Sequence, residues 1–411
     1  MMRALRRPVP TLAGLLGAAG AVVPCLLLPW LLPPPPAALV AVLAILAVQG
    51  YAAGTLVRAA WRRLSGRSGH RPATTAASRR PPRPRKVTAT VVLSLLITAC
   101  LLPAGSPVTI GYQTLAAGTR PLGALRSGGP GSLVSWESLG VQGQAFVRSG
   151  PDREQIERVT GRPALEPVRA YVGLRSARGT GQQIPLAVAE LERDGALARS
   201  TILVVVPTGS GWVDPAAVAA LEYLSAGNVA TVAVQYAERP SWLEYMLGRS
   251  RAAGSASALI SALHRRLDPI PVPHRPQLLV YGESLGAIGA RSAATLADHS
   301  LLVGPPGGAG SAPARPRTTA LLHADDPIGW WFPRLLIRRP AGWLGPWLPV
   351  VSFWQVTGNL VTALDAPAGH GHHYGAELVD AWRTIGAALP ALPPGALTAT
   401  RRAVGGSVQD R

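Results

Sequence analysis

The chain has 411 residues, 48% of them hydrophobic, a mean hydropathy of +0.22 and a formal net charge of +19. That average is apolar for a soluble protein, so membrane segments have to be sought first. The charge is local: residues 1–86 hold thirteen of the 40 basic residues, and no acid precedes Glu137. Basic clusters beside apolar runs set membrane orientation, and no aromatic-interleaved basic face appears, which argues against a nucleic-acid partner. Cys25 and Cys100 both lie inside apolar runs, as small hydrophobes rather than as a disulfide or metal pair.

Residues 11–32, "TLAGLLGAAGAVVPCLLLPWLL", are uncharged and long enough to cross about 30 Å of hydrocarbon as a helix. "PPPP" at 33–36 makes a tight exit, because proline cannot continue a helix. Residues 37–57 form a second span, 61–86 a basic Pro- and Ser-rich loop, and 87–104 a third span. A cleaved signal peptide is the rival for the first segment, but its apolar run is too long and a second span follows at once. The basic segments flank the first span and fill the loop between the second and third, so both belong on the cytoplasmic side. Three spans then place residue 105 onward outside the cytoplasmic membrane. Residues 105–167 read as a linking or covering segment.

From residue 168 to 392 short apolar strands alternate with amphipathic helices. Strands are expected at 170–174, 201–206, 229–236, 277–281, 301–304 and 319–324. Helices are expected at 187–197, 214–224, 252–267, 285–297 and 376–389, with Asp214 as N-cap and Pro215 at the first helical position of the second. This alternation predicts an α/β fold with a mostly parallel sheet covered on both faces. No internal repeat is present, and 393–411 reads as a flexible tail.

Within that alternation, "QLLVYGESLGAIGA" places a G-x-S-x-G sequence between a strand and a helix. The pattern alone is weak in a glycine-rich chain, and the strand–turn–helix context is what gives Ser284 the setting of a nucleophile. Gly282 and Gly286 allow strand and helix to approach around the turn. A serine hydroxyl needs a base, and the base needs an orienting carboxylate, in chain order Ser, acid, His. "TALLHADDPI" offers Asp326, preferred to Asp325 by its loop position. "PAGHGHHYG" offers His372 or His370 as the base, with His373 as a neighbour and His323 as strand-end packing. A metal site among these histidines is disfavoured, because no cysteine lies near and no acid has helical ligand spacing to them. The developing oxyanion would be held by the backbone N–H of Leu285 and by Thr208, Gly209 or Ser210 in "VVVPTGSGWVDP".

These segments, with "LRSGGPGSLVSWESLGVQGQAFV" (125–147), "QYAERPSWL" (235–243), "VGPP" (303–306), "HADDPIGWW" (323–331) and "VVSFWQV" (350–356), resemble the bacterial, largely actinobacterial, membrane α/β-hydrolases with a multi-span N-terminal domain. The resemblance implies an α/β-hydrolase fold, here preceded by the about three transmembrane helices read above, and serine hydrolase chemistry; no cofactor is expected. It implies no substrate. The membrane region and the stretch after "VGPP" are shorter than the family pattern. The expectation is a membrane-anchored serine hydrolase acting on an ester or acyl group, with the lipid bilayer as partner. Acyl transfer by the same triad, or a non-catalytic binding role, are the alternatives. The tryptophans between Trp330 and Trp354 suit a headgroup layer, an acyl pocket or an ordinary core.

Overall fold

The computed structural model describes residues 11–65, 123–238, 249–307, 317–385 and 389–409. The chain divides into two compact units, one formed by Met1–Ser106 with Pro333–Thr362, the other by Pro107–Phe332 with Ala363–Arg411.

The second unit is built on six parallel strands, β1 (Val168–Val172), β2 (Thr201–Val206), β3 (Val229–Val234), β4 (Gln277–Glu283), β5 (His299–Val303) and β6 (Thr318–Leu321). Their order is β1-β3-β2-β4-β5-β6. Runs such as "TILVVV" and "VATVAV" are buried at every position, as strands covered on both faces must be. The strand ladder places Val206 of β2 beside Gly282 of β4, and Glu283 beside Val303 of β5. This fixes the end of the sheet at which the candidate nucleophile emerges.

In the same unit, α3 (Gly140–Arg148) and α4 (Arg153–Thr160) precede β1, and α5 (Thr180–Arg193), α6 (Pro215–Leu224), α7 (Arg249–Leu267) and α8 (Leu285–Ala293) are the crossovers between successive strands. α6 starts as its sequence dictates: Asp214 accepts from Ala216 N, and Pro215 opens the helix. α5 begins at Thr180, earlier than its apolar spacing suggests, because the buried Gln183 donates to the carbonyls of Gly173 and Gln235 and ties an extra turn to the strand ends. Arg169 on β1 and Glu222 on α6 form a fully buried two-point ion pair, with both N–O distances 2.7 Å. Beyond β6 come α9 (Pro327–Trp330) and, later, α11 (Glu377–Thr384). The expected flexible tail is instead α12 (Ala396–Gln409). Its Thr400 and Val404, one turn apart, are fully buried, and Arg401 pairs with Asp380 on α11.

In the first unit, α1 (Leu12–Leu27) and α2 (Pro36–Ser65) pack at backbone distance. A Cβ on Gly17 would stand 2.1 Å from Gly50 O, and one on Gly54 2.0 Å from Ala13 O. Small residues at such a contact are what let apolar helices associate closely. Pro36–Arg62, 27 residues with a mean hydropathy of 2.0 over an 18-residue window, is long and apolar enough to cross a membrane. The first expected span is shorter than foreseen, at 16 residues. Leu28 precedes Pro29 and is driven into the extended region (φ −80°, ψ 141°), which ends the helix there. Among the described residues one helix rather than two therefore has a spanning length, and the third expected span, 87–104, lies outside them.

Candidate active site

Ser284 stands between β4 and α8 with φ 53° and ψ −123°, a conformation L-residues avoid. The turn is held by Ser284 N donating to Val303 O and by Ala287 N donating to Ser284 O. Two glycines make it possible. A Cβ on Gly282 would meet Gly286 O at 2.2 Å, and one on Gly286 would meet Val206 O at 2.1 Å. The strained serine is thus lifted from the sheet between two backbones in contact.

The next loops bring an acid and an imidazole together. Asp326, fully buried, caps α9 by accepting from Ile328 N through Oδ1. Its other oxygen, Oδ2, receives Nδ1 of His372 at 2.7 Å and the hydroxyl of Tyr374 at 2.8 Å. The far nitrogen of His372, Nε2, lies 3.9 Å from Oε1 of Glu283, the residue that precedes Ser284. The imidazole therefore bridges from Asp326 to the tip of β4. Among the described residues no hydrogen bond joins Ser284 Oγ to His372, and such contacts commonly tighten only around substrate.

Electrostatics follow from this packing. Burial pushes the His372 imidazole down, but the carboxylates of Asp326, Glu283 and Asp214 outweigh it and hold the ring above its ordinary value. Burial, reinforced by Asp326, raises the Tyr374 hydroxyl well beyond the usual range, so it stays a donor. Glu283, itself buried, accepts from Tyr281 OH at 2.8 Å.

The other expected residues separate. His370 is exposed and pairs with Asp325 at 2.8 Å, away from the Asp326–His372 pair. Asp325 also accepts from Gly371 N and so fastens the loop. His373 reaches Ala366 O. His323, expected as simple packing, is bonded through both nitrogens, to Gly371 O and to Glu377 Oε1, and stacks on Tyr374 with ring centroids 4.2 Å apart. The imidazoles thus face separate partners, and among the described residues no group of three or more His, Cys, Asp or Glu could hold a metal ion. Of the proposed oxyanion donors, Thr208 N is engaged by Trp212 O. That leaves Leu285 N at the start of α8 and the amides of Gly209 and Ser210, in the loop leaving β2 beside Gly286. Trp330, Trp343 and Trp354 are buried packing residues.

Tyr374 and Glu283 were not singled out from the sequence. Both sit inside the motifs that were, as the tyrosine of "GHHYG" and the variable residue of G-x-S-x-G.

An alpha/beta-hydrolase family model matches residues 168–312 and 308–390, and the model of that family's N-terminus matches 112–151. No curated protein matches the chain. Among solved structures, the Trichoderma reesei cutinase in complex with a C11Y4 phosphonate inhibitor is 14% identical and covers 46% of this chain and 92% of its own, with a TM-score of 0.27. A likeness of that level carries no weight for fold or activity.

Proposed function

The chain belongs to this alpha/beta-hydrolase family, and from that premise we propose that it is a membrane-anchored serine hydrolase that cleaves an ester or acyl group through an acyl-enzyme. The carrying observation is the buried Asp326–His372 hydrogen bond of 2.7 Å, whose imidazole turns its free nitrogen toward the residue next to a strained Ser284. In this reading Ser284 Oγ attacks the carbonyl carbon, and His372 Nε2 takes the hydroxyl proton. Asp326 fixes the tautomer that leaves Nε2 free and stabilises the imidazolium. Leu285 N, with Gly209 or Ser210 N, donates to the developing oxyanion. The imidazolium then returns its proton to the leaving alcohol, and water repeats the sequence on the acyl-enzyme.

Membrane anchoring is supported by the length and apolarity of α2 and by its backbone-close packing on α1. With the basic segments on the cytoplasmic side and 87–104 as a third span, the hydrolase unit faces outward.

The test is labelling of the membrane-inserted protein by a fluorophosphonate. Ser284→Ala should abolish labelling and hydrolysis of short p-nitrophenyl esters, with the melting temperature retained. Undiminished labelling in that variant, or none in the wild type with a panel of such probes, refutes the reading.

A further inference from the structure

Residues 333–362 lie in the chain between Asp326 and His372, yet they form one compact unit with α1 and α2. This insert carries Arg334, Arg338 and Arg339, three tryptophans and no acid.

Its helix α10 (Val351–Asn359) is fastened to the α1–α2 hairpin. Val351 and Trp354 pack in one apolar cluster with Cys25, Val42, Ile45 and Leu46. The polar groups of α10 are spent on the hairpin, along α2 as well as at its turn. Trp354 Nε1 donates to Gln49 Oε1, and Gln355 Nε2 donates to the carbonyls of Cys25 and Leu28. Asn359 donates to Leu32 O and accepts from Leu32 N. A helix that ends leaves carbonyls without partners, which is costly in an apolar setting. Gln355 of α10 pairs with two such carbonyls, those of Cys25 and Leu28 at the end of α1, so the docking is specific.

What the insert leaves uncovered has a different chemistry. Ile337 is 79% exposed and Leu344 78%, with Leu348 and Val350 also exposed. Arg334, Arg338 and Arg339 stand exposed among them. Exposed apolar side chains interleaved with cations, with tryptophan beside them, are the composition of a segment lying in a membrane interface. The same unit also exposes Leu12, Leu16, Val23 and Leu27 of α1.

We propose that residues 333–350 bind the surface of a bilayer rich in anionic phospholipid. The arginines take the headgroup phosphates, and Ile337 and Leu344 enter the upper acyl region. This rests on the reading of the hairpin as membrane-inserted, and the experiment separates the two.

Full-length protein is reconstituted in nanodiscs of phosphatidylcholine, with or without phosphatidylglycerol, carrying a doxyl quencher near the top of the acyl chain. A fluorophore is placed by I337C, L344C, L16C or V272C on a background with Cys25 and Cys100 replaced by alanine. Strong quenching is expected at 337 and 344 in the phosphatidylglycerol discs and at 16 in both, and none at 272, an exposed site of the hydrolase unit. Arg334→Gln, Arg338→Gln and Arg339→Gln together should return the 337 and 344 signals to their level without anionic lipid. Quenching at 16 with none at 337 or 344 overturns the proposal and leaves the anchoring intact, and no quenching at any site overturns both. Photo-crosslinking of the unmodified protein with diazirine lipid should mark peptides from 335–349, and their absence among crosslinked peptides from a sample that marks α1 also overturns it.

Discussion

Replacing Asp326 by asparagine tests the base system without disturbing its packing. Oδ1 holds Ile328 N, while Oδ2 holds both His372 Nδ1 and the Tyr374 hydroxyl. An asparagine that keeps its oxygen toward Ile328 N presents an NH2 group to His372. The ring must then offer an unprotonated Nδ1 and carry its proton on Nε2, the atom that has to accept the serine proton. The opposite orientation sets NH2 against the Ile328 N–H and loses the helix cap, so the first prevails. Tyr374 can follow, because its oxygen can accept as well as donate. Loss of the charge-assisted bond removes about 1.5–3 kcal/mol from the imidazolium, and the wrong tautomer adds to this. A fall in kcat/KM of about 10³- to 10⁴-fold is expected, equivalent to about 4–5.5 kcal/mol of barrier. Stability should change by about 1–2 kcal/mol, a few degrees in Tm. The assay is hydrolysis of a short p-nitrophenyl ester by protein in detergent or nanodiscs, with the fluorophosphonate labelling rate as a second readout. Asp325→Asn, which touches His370 and Gly371 instead, should cost far less. Activity of Asp326→Asn within about ten-fold of wild type, with labelling unchanged, refutes the assignment of the pair as the base system.

Three further outcomes follow from the same geometry. Glu283→Gln keeps an acceptor for Tyr281 but removes a negative charge from beside His372 Nε2. The base must be neutral, so the acid limb of the kcat/KM profile should move to lower pH, and a limb that stays or rises contradicts the electrostatic account. The sign for stability is linked: the raised imidazole stabilises the fold below its ordinary pKa, and this is lost as pH climbs through the folded value. Arg169→Met strands the fully buried Glu222 and should cost about 3–5 kcal/mol by denaturant titration; Arg169→Met with Glu222→Met should be more stable than the single variant, and a double variant that is worse negates the argument. Gly286→Ala places a Cβ 2.1 Å from Val206 O, forcing α8 off β2 at a cost of about 1–3 kcal/mol or more, and a variant with wild-type Tm and esterase rate contradicts that packing.

Local signals carried most of what the sequence disclosed. The β-branched runs of β2 and β3, the Asp214–Pro215 start of α6 and the strand–turn–helix around Ser284 are each decided within a few residues, and each can be read from the chain. The choice between His370 and His372 is not local. Gly371 between them has a positive φ of 56°, so the loop's path, not its composition, decides which ring faces inward. Glu283 and Tyr374 acquire their roles only when β4 and the histidine loop meet. The docking of α10 is further out of reach: Gln355 and Cys25 are separated by 330 positions, and nothing in either segment announces the other. The length of α1 was misjudged for a smaller reason. Hydropathy does not register that Pro29 evicts Leu28 from the helix.

The histidine-bearing loop has almost no regular secondary structure, yet its neighbours hold it at many points. Asp325 grips His370 and Gly371, His323 grips the Gly371 carbonyl, His372 N holds Ala363 O, and Tyr374 is tied to Asp326. A segment stapled this densely has surrendered its conformational freedom during folding, so positioning the ring demands little further ordering when a substrate arrives. It follows that adjustment to substrates of differing shape falls to other parts of the molecule. Substitutions on the solvent side of this bracket, at Asp325 or His370, would register as altered turnover at a ring they never touch.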